Sequence, residues 1–158
     1  MTRNIEIFVD ADACPVKEEI KKVAERHGLI TTFVANGGLR PSRDPQIRTV
    51  IVPSGPDEAD DWIVDNIMQN DIAVTADIPL AQRVVAKGAL VLKPNGKVFS
   101  PDNIGMAVAM RDLKHDLRET GAITTHNPTF SGRDRSQFLS AMDTTVRRCL
   151  KAITREKS

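Results

Sequence analysis

Short apolar runs rich in β-branched residues alternate along the chain with segments whose apolar residues recur at helical spacing. Five such runs predict strands, at residues 5–9, 29–35, 47–52, 72–75 and 89–92. The spacing predicts helices at residues 15–28, 57–68, 80–88, 104–117 and 135–155, and an irregular polar loop at residues 121–132. Strands that alternate with helices of crossover length predict parallel pairing. We therefore expect one three-layer α/β/α domain over residues 1–158, with a central, mostly parallel sheet and a helical C-terminal extension over about residues 120–158.

The first predicted strand runs directly into two carboxylates, Asp10 and Asp12, and then into Pro15, which predicts the first helical position. In an open parallel sheet, ligands bind at the carboxyl ends of the strands, where both acids fall. Carboxylates at the end of an apolar strand need a cation or hydrogen bonds. Two interpretations stay open from these residues alone. They form half of a divalent-metal site, or Asp12 stabilises a helix N-terminus while Asp10 ends the strand.

Two further segments bring carboxylates to the same predicted edge of the sheet. Asp77 follows the fourth strand, and Asp57 and Asp60 open the helix after the third strand. Asp60 precedes Ile63 and Val64 by three and four residues, so it shares their buried helical face and should point towards the sheet. Like charges brought together disfavour one another unless a cation neutralises them. Because ligand sets made only of oxygen suit hard ions, the pattern predicts a site for Mg²⁺ or Mn²⁺.

Composition narrows the classes of partner. The chain has a formal net charge of +1, so a polyanion would have to bind a local basic patch. Aromatic residues make up only 4% of the chain and tyrosine is absent, which argues against a platform that stacks nucleic-acid bases. The two cysteines give neither a disulfide scaffold nor a zinc pattern, and no apolar run reaches membrane-spanning length. We expect a cytoplasmic protein that makes no contact with membranes.

Several phrases of the sequence carry a family resemblance. They are Val-Asp-Ala-Asp-Ala-Cys-Pro-Val, Val-Ala-Asn followed by Leu-Arg-Pro, Asp-Glu-Ala-Asp, Val-Thr-Ala-Asp-Ile-Pro-Leu-Ala and Arg-Asp-Arg-Ser-Gln-Phe. Together they resemble the bacterial YaiI/YqxD family over nearly the whole chain, and the first phrase is quite specific. That family is grouped with PIN-domain-like metal-dependent nucleases, so the resemblance implies a PIN-like fold with acids at the carboxyl edge of a parallel sheet.

The same resemblance implies roles for individual acids. In the PIN pattern, Asp10 matches the acid of the first strand, and Asp77 matches the acid after the threonine-bearing strand. Asp57 and Asp60 stand where PIN proteins place the acid that opens the following helix. Asp12 belongs to the YaiI/YqxD phrase and has no firm PIN counterpart.

The implied function is a divalent-metal-dependent nuclease that hydrolyses phosphodiester bonds, with RNA expected in preference to DNA. The expected catalytic residues are Asp10, Asp12, Asp60 and Asp77, and Asp57 joins these four as a ligand of Mg²⁺ or Mn²⁺. Nucleic acid also needs cations near the acids. The residues expected to contact the substrate are Asn36, Arg40, Arg43, Arg48, Thr75, Arg111, Arg133 and Arg135. Of these, Arg40 and Arg43 should lie at the acidic edge, in the loop after the second strand.

Other functions remain as alternatives. A non-catalytic metal- or RNA-binding module would keep the fold without the chemistry. A haloacid-dehalogenase-like phosphatase would explain Asp10 and Asp12, but it needs further acids after Thr75, whereas here they precede it. A thiol enzyme that uses Cys14 at a helix N-terminus has a physical basis. Since no partner histidine is evident, we interpret Cys14 as a small buried residue at the turn.

Overall fold

The computed structural model describes residues 4–121 and 130–156. In this part the chain forms strands β1 (Glu6–Asp10), β2 (Ile30–Ala35), β3 (Ile47–Ile51), β4 (Ile72–Val74), β5 (Leu90–Leu92) and β6 (Val98–Phe99). Its helices are α1 (Lys17–His27), α2 (Glu58–Asn66), α3 (Ile78–Ala86), α4 (Ile104–Glu119) and α5 (Gly132–Glu156). The predicted loop at residues 121–132 lies mostly outside the described residues.

The strands form one sheet in the order β3-β2-β1-β4-β5-β6. All neighbours run parallel except β6, which is antiparallel to β5. The predicted α/β architecture with a central, mostly parallel sheet is therefore confirmed. Strand β6 was not predicted, because two residues are too short to show a period. It forms because the turn between Lys93 and Lys97 closes with a 2.9 Å backbone hydrogen bond and folds the chain back onto β5.

Both faces of the sheet are buried, and β1 contributes alternate residues to each face. Ile7 and Val9 join the core under α1 and α5, whereas Phe8 joins the core under α2 and α3. Phe138 and Met142 of α5 are fully buried in the first of these cores. The C-terminal helix is therefore a covering layer of the sheet, and it holds β1 in place from one side. None of the described helices is long and apolar enough to cross a membrane.

Among the helix boundaries that differ from the prediction by a few residues are the starts of α1 and α5. Helix α1 begins at Lys17, because the chain leaves β1 through a short 3-10 turn (Ala11–Ala13) and a further turn at Pro15. Pro15 therefore precedes the helix, and Val16 accepts the first helical hydrogen bond, from Ile20, at 3.0 Å. At the other end of the chain, α5 begins at Gly132, earlier than the expected residue 135.

Candidate functional site

Asp10 and Thr75 lie side by side at the carboxyl ends of two neighbouring strands. Val9 of β1 pairs with Val74 of β4 in parallel register, so the next residue of each strand reaches the same edge. The Thr75 hydroxyl donates a 3.0 Å hydrogen bond to Asp10 Oδ2, and Thr75 is only 3% exposed. Thr75 therefore fixes the orientation of the Asp10 carboxylate.

Asp77 is held to the same strand end. Its backbone N–H donates to the Thr75 hydroxyl at 3.1 Å, and its Oδ1 accepts a 3.0 Å hydrogen bond from the backbone N–H of Leu80. Asp77 is thus the N-cap of α3. Helix capping engages one of its two carboxylate oxygens, and the side chain is exposed at the edge of the sheet.

Asp12 joins the turn after β1 to the end of β2. Its two carboxylate oxygens accept from the backbone N–H of Asn36 at 3.2 and 3.3 Å. Asp12 and Asn36 are both exposed. The contact made by Asn36 is with its backbone, so its predicted side-chain contact with substrate stays a prediction.

The start of α2 reaches this edge as well, because β3 ends there and α2 crosses back over β2 and β1. Ile63 is fully buried and Asp60 is half-buried on the same side of the helix, as predicted. Asp57 precedes the helix without making a side-chain cap, so helix capping does not explain its presence. Asp61 is exposed and pairs with Arg83 at 2.9 Å.

The pKa of Asp60 depends on the other carboxylates at this edge. Burial is the main cause that raises the pKa of Asp60 from 3.8 to about 6. The negative charges of Asp77, Asp10 and Asp57 raise it further. The positive charge of Arg83 lowers it and is the weakest of these effects. Acids from β1, α2 and the end of β4 therefore share one electrostatic environment.

Asp10 is affected in the same direction. Burial raises the pKa of Asp10, and the charges of Asp12 and Asp77 add to this effect. The hydrogen bond from Thr75 partly offsets the increase. We call the five acids that interact in this way the acidic edge: Asp10, Asp12, Asp57, Asp60 and Asp77.

The prediction that Asp10, Asp60 and Asp77 reach one ion together is not met. Within residues 4–121 and 130–156, no three His, Cys, Asp or Glu side chains are placed so that they could hold a metal ion. The physical reason is that Thr75 holds Asp10, the first turn of α3 holds Asp77, and like charges keep the carboxylates apart. The donor chemistry still fits a hard cation, because Mg²⁺ commonly takes one or two carboxylates together with waters and substrate phosphates.

A pocket of about 220 Å³ opens at the acidic edge and is lined by Asp10, Thr75, Asp77 and Cys14. Burial raises the pKa of the Cys14 thiol. A raised pKa is the opposite of what an activated thiolate needs. Cys14 packs against the core at the turn but is only partly buried, so the expectation of a buried residue is met in part.

Two of the predicted substrate-binding arginines lie at the wrong edge of the sheet. The Gln46 carbonyl accepts a 2.9 Å hydrogen bond from the backbone N–H of Thr31, at the start of β2. Because Arg43 is only three residues before Gln46, the loop has already returned to the amino-terminal edge there. Arg48, at the start of β3, lies 3.8 Å from the Glu6 carboxylate. The expectation that Arg43 lies beside the acids is therefore wrong, and Arg48 is also far from them. Arg40 is exposed in the earlier part of this loop and stays a prediction.

The two arginines predicted near the last helix differ in their surroundings. Arg135 donates to the Pro15 carbonyl at 2.6 Å and to Glu19 Oε1 at 3.2 Å, and its guanidinium lies 5.0 Å from the centroid of the Phe130 ring. These contacts dock α5 against the turn after β1, which is a structural role. Arg133 is exposed at the start of α5, and its predicted contact with substrate is not tested.

Arg111 leads to a set of cations that the sequence interpretation missed. It lies on α4 and lines a groove of about 550 Å³ between α3, α4 and the β5–β6 turn. Asp77 of the acidic edge also lines this groove. We call it the cationic groove, after the basic side chains that line it: Lys93, Lys97, Arg111, Lys114, His115 and Arg118. Helical spacing of residues 111, 114 and 118 was the signal available in the sequence.

Comparison with known proteins gives a consistent family. A family model described as the uncharacterised YaiI/YqxD family matches residues 8–148. UPF0178 protein mlr0875 of Mesorhizobium japonicum is 62% identical over 148 residues, which cover 94% of this chain and 96% of the relative. UPF0178 protein Atu1478 of Agrobacterium fabrum is 63% identical over 151 residues, which cover 96% and 99%. No solved structure matches the chain.

Proposed function

The chain belongs to the YaiI/YqxD family, and we propose that it is a divalent-metal-dependent nuclease that acts in the cytoplasm on RNA in preference to DNA. One observation carries this proposal. The acidic edge, in which Asp10 and Asp60 have raised pKa values, shares Asp77 with a groove lined by cations. Phosphodiester hydrolysis needs both, because the metal ion binds to acids and the substrate is a polyanion. The free thiols of Cys14 and Cys149 fit a reducing compartment.

One or two carboxylates of the acidic edge would hold Mg²⁺ or Mn²⁺, and waters and substrate phosphates would supply the other ligands. Asp10 and Asp77 are the first candidates, because both line the pocket at this edge. When bound, such an ion polarises the phosphate and lowers the pKa of water. Thr75 keeps the Asp10 carboxylate in one orientation at the end of β1. A cation would also lower the pKa of Asp60, because it reverses the charge environment that raises it.

A binding module without catalysis is the second candidate. It is favoured by the lack of three convergent metal ligands among the residues that the structure describes. In that case the acids would hold a metal ion only weakly or repel other anions. Only the basic side chains of the cationic groove would contact nucleic acid.

The experiment that tests the proposal is cleavage of a fluorescently labelled single-stranded RNA by the purified protein with Mn²⁺ or Mg²⁺. We expect cleavage that stops with a chelator and falls by about a hundredfold or more in Asp10→Asn, which keeps the shape of the side chain and removes its charge. The matched control is Asp65→Asn, because Asp65 is an exposed acid outside the acidic edge.

The outcomes separate the candidates. If wild type and Asp10→Asn give the same trace activity, that activity is contamination and the nuclease proposal is wrong. Metal-independent RNA binding without cleavage would support the binding module. Release of phosphate from small monoesters without cleavage of RNA would support a phosphatase.

A further inference from the structure

The cationic groove contains charges that the protein itself does not neutralise. Burial lowers the pKa of Lys93, and the positive charges of Lys97 and Lys114 lower it further. Within the described part of the chain, no carboxylate forms an ion pair with these three lysines or with Arg118. Like charges that line one groove without ion-pair partners are stabilised by a bound anion.

The other two cations of the groove are less available. Arg111 lies 3.6 Å from Asp112, and His115 lies 3.0 Å from Glu119. Both of these pairs are exposed, so each contributes little stability and can open for a ligand. The lysines and Arg118 therefore carry most of the unneutralised positive charge.

The cationic groove and the pocket at the acidic edge share part of their lining. Ala76 and Asp77 line both of them, so a ligand that fills the groove reaches the Asp77 side of the acidic edge. An anion with a single charge would fill only part of a 550 Å³ groove. A ligand with phosphates at regular intervals would place several of them among the cations and one at the acidic edge.

We infer that the cationic groove binds successive phosphates of a single nucleic-acid strand on one side of the phosphodiester that lies at the acidic edge. This inference rests on the proposed nuclease function and adds the form of the substrate, which is an oligonucleotide and not a mononucleotide. Phe99 is the one Phe, Tyr or Trp residue among those that line the groove, and it is only 1% exposed, so it offers no surface for stacking a base. Recognition is therefore through the backbone, with little dependence on sequence and strong dependence on salt.

The test is fluorescence anisotropy of a labelled single-stranded RNA of about twelve nucleotides in the presence of a chelator, so that binding is measured without cleavage. The variant is the triple substitution Lys93→Gln, Lys97→Gln and Lys114→Gln. The matched control is Lys22→Gln, Arg148→Gln and Lys151→Gln, which removes the same charge from exposed positions on α1 and α5. We expect the groove variant to bind about tenfold more weakly or worse, with a salt slope that is smaller by about 2, because each phosphate contact to a single strand contributes about 0.7.

A second measurement locates the ligand. Lys93 has a lowered pKa, so its amine is more reactive than that of an ordinary surface lysine. Acetylation followed by mass spectrometry should modify Lys93 rapidly, and the oligonucleotide should protect it, while Lys22 and Lys151 keep the same rate. A mononucleotide at the same phosphate concentration should give little protection.

Several outcomes would overturn the inference. Equal affinity and salt slope in the groove variant and the control variant would place the nucleic acid elsewhere. Equal competition by poly-aspartate would mean that the groove recognises charge alone. Failure of the nuclease proposal is a separate result, since it concerns cleavage. If Asp10→Asn and wild type bind RNA equally but neither cleaves it, the groove assignment stands and the catalytic role is lost.

Discussion

Acidic side chains at the two edges of the sheet have opposite surroundings. Near the amino-terminal edge, Asp71 is 1% exposed and accepts backbone hydrogen bonds from Glu6 and Met68, both at 2.9 Å. Asp143 of α5 lies 2.8 Å from His27 and also pairs with Arg147. The hydrogen bond with His27, followed by that with Arg147, lowers the pKa of Asp143. These acids are fully engaged in holding the fold together.

At the carboxyl edge, none of the five acids of the acidic edge forms an ion pair with a residue that the structure describes. Burial and neighbouring carboxylates raise the pKa values of Asp10 and Asp60. Hydrogen bonds reach Asp10 from Thr75 and Asp77 from Leu80, but neither bond brings a positive charge. Asp143 is thus distinguished from Asp10 and Asp60 by its positively charged partners, which lower its pKa, whereas neighbouring carboxylates raise the pKa values of Asp10 and Asp60.

The largest effect that sharpens this comparison concerns Asp143. We expect Asp143→Ala to lower the free energy of unfolding by about 3 kcal/mol, because it leaves His27 and Arg147 without their shared anion between α1 and α5. The measurement is urea unfolding at neutral pH, with Asp65→Ala as an exposed control that should change by less than about 0.5 kcal/mol.

The pH dependence of this variant has a definite sign. The folded pKa of Asp143 is below its unfolded value, so its contribution is present above about pH 4 and is lost as the pH falls through the folded pKa. Wild type and Asp143→Ala should therefore approach each other in stability towards acid pH. A difference that stays constant with pH would show that packing, and not charge, is responsible.

The next effect concerns the acidic edge and a divalent ion. Binding to the native state alone adds about 2.7 kcal/mol at a hundredfold excess over Kd. We expect Mg²⁺ or Mn²⁺ to raise the melting temperature of wild type, and to do so much less in Asp10→Asn. NaCl at matched ionic strength is the control for screening. Equal shifts in both proteins would place the ion away from Asp10.

Much of the fold was predictable from the sequence, because buried parallel strands and amphipathic helices have clear periods. The runs that end at Asp10 and Thr75 predicted two strand ends, and parallel pairing placed them at one edge. The orientation of Asp60 followed from its spacing to Ile63 on α2. In each case a local rule was sufficient, since the residues belong to regular elements.

The parts that were not predictable depend on loops and on side-chain direction. The loop after β2 returns to the amino-terminal edge within a few residues, and no local pattern indicated this for Arg43. The role of Arg135 depends on contacts with Pro15 and Glu19, which are more than a hundred residues away in sequence. Lys93 and Lys97 joined the groove only because the unpredicted strand β6 turns back on β5. Long-range packing decides all of these positions.

The smallest effect, and the one that best separates the two kinds of acid, concerns Asp60. Its folded pKa of about 6 is above the unfolded value, so its ionisation costs stability as the pH rises through that range. In chelator, the free energy of unfolding of Asp60→Asn should match that of wild type near pH 4 and exceed it at pH 8 by about 1 kcal/mol. This is less than the full pKa shift implies, because the half-buried side chain is screened by solvent.

Asp61→Asn is the control. It loses an exposed ion pair with Arg83 and should be unchanged or slightly less stable at pH 8. Saturating Mg²⁺ should then reverse the order, making wild type more stable than Asp60→Asn, because the ion neutralises the charge that was unfavourable without it. If Asp60→Asn is destabilising at pH 8 in chelator, Asp60 is a structural acid like Asp143, and the contrast between the two edges does not hold for it.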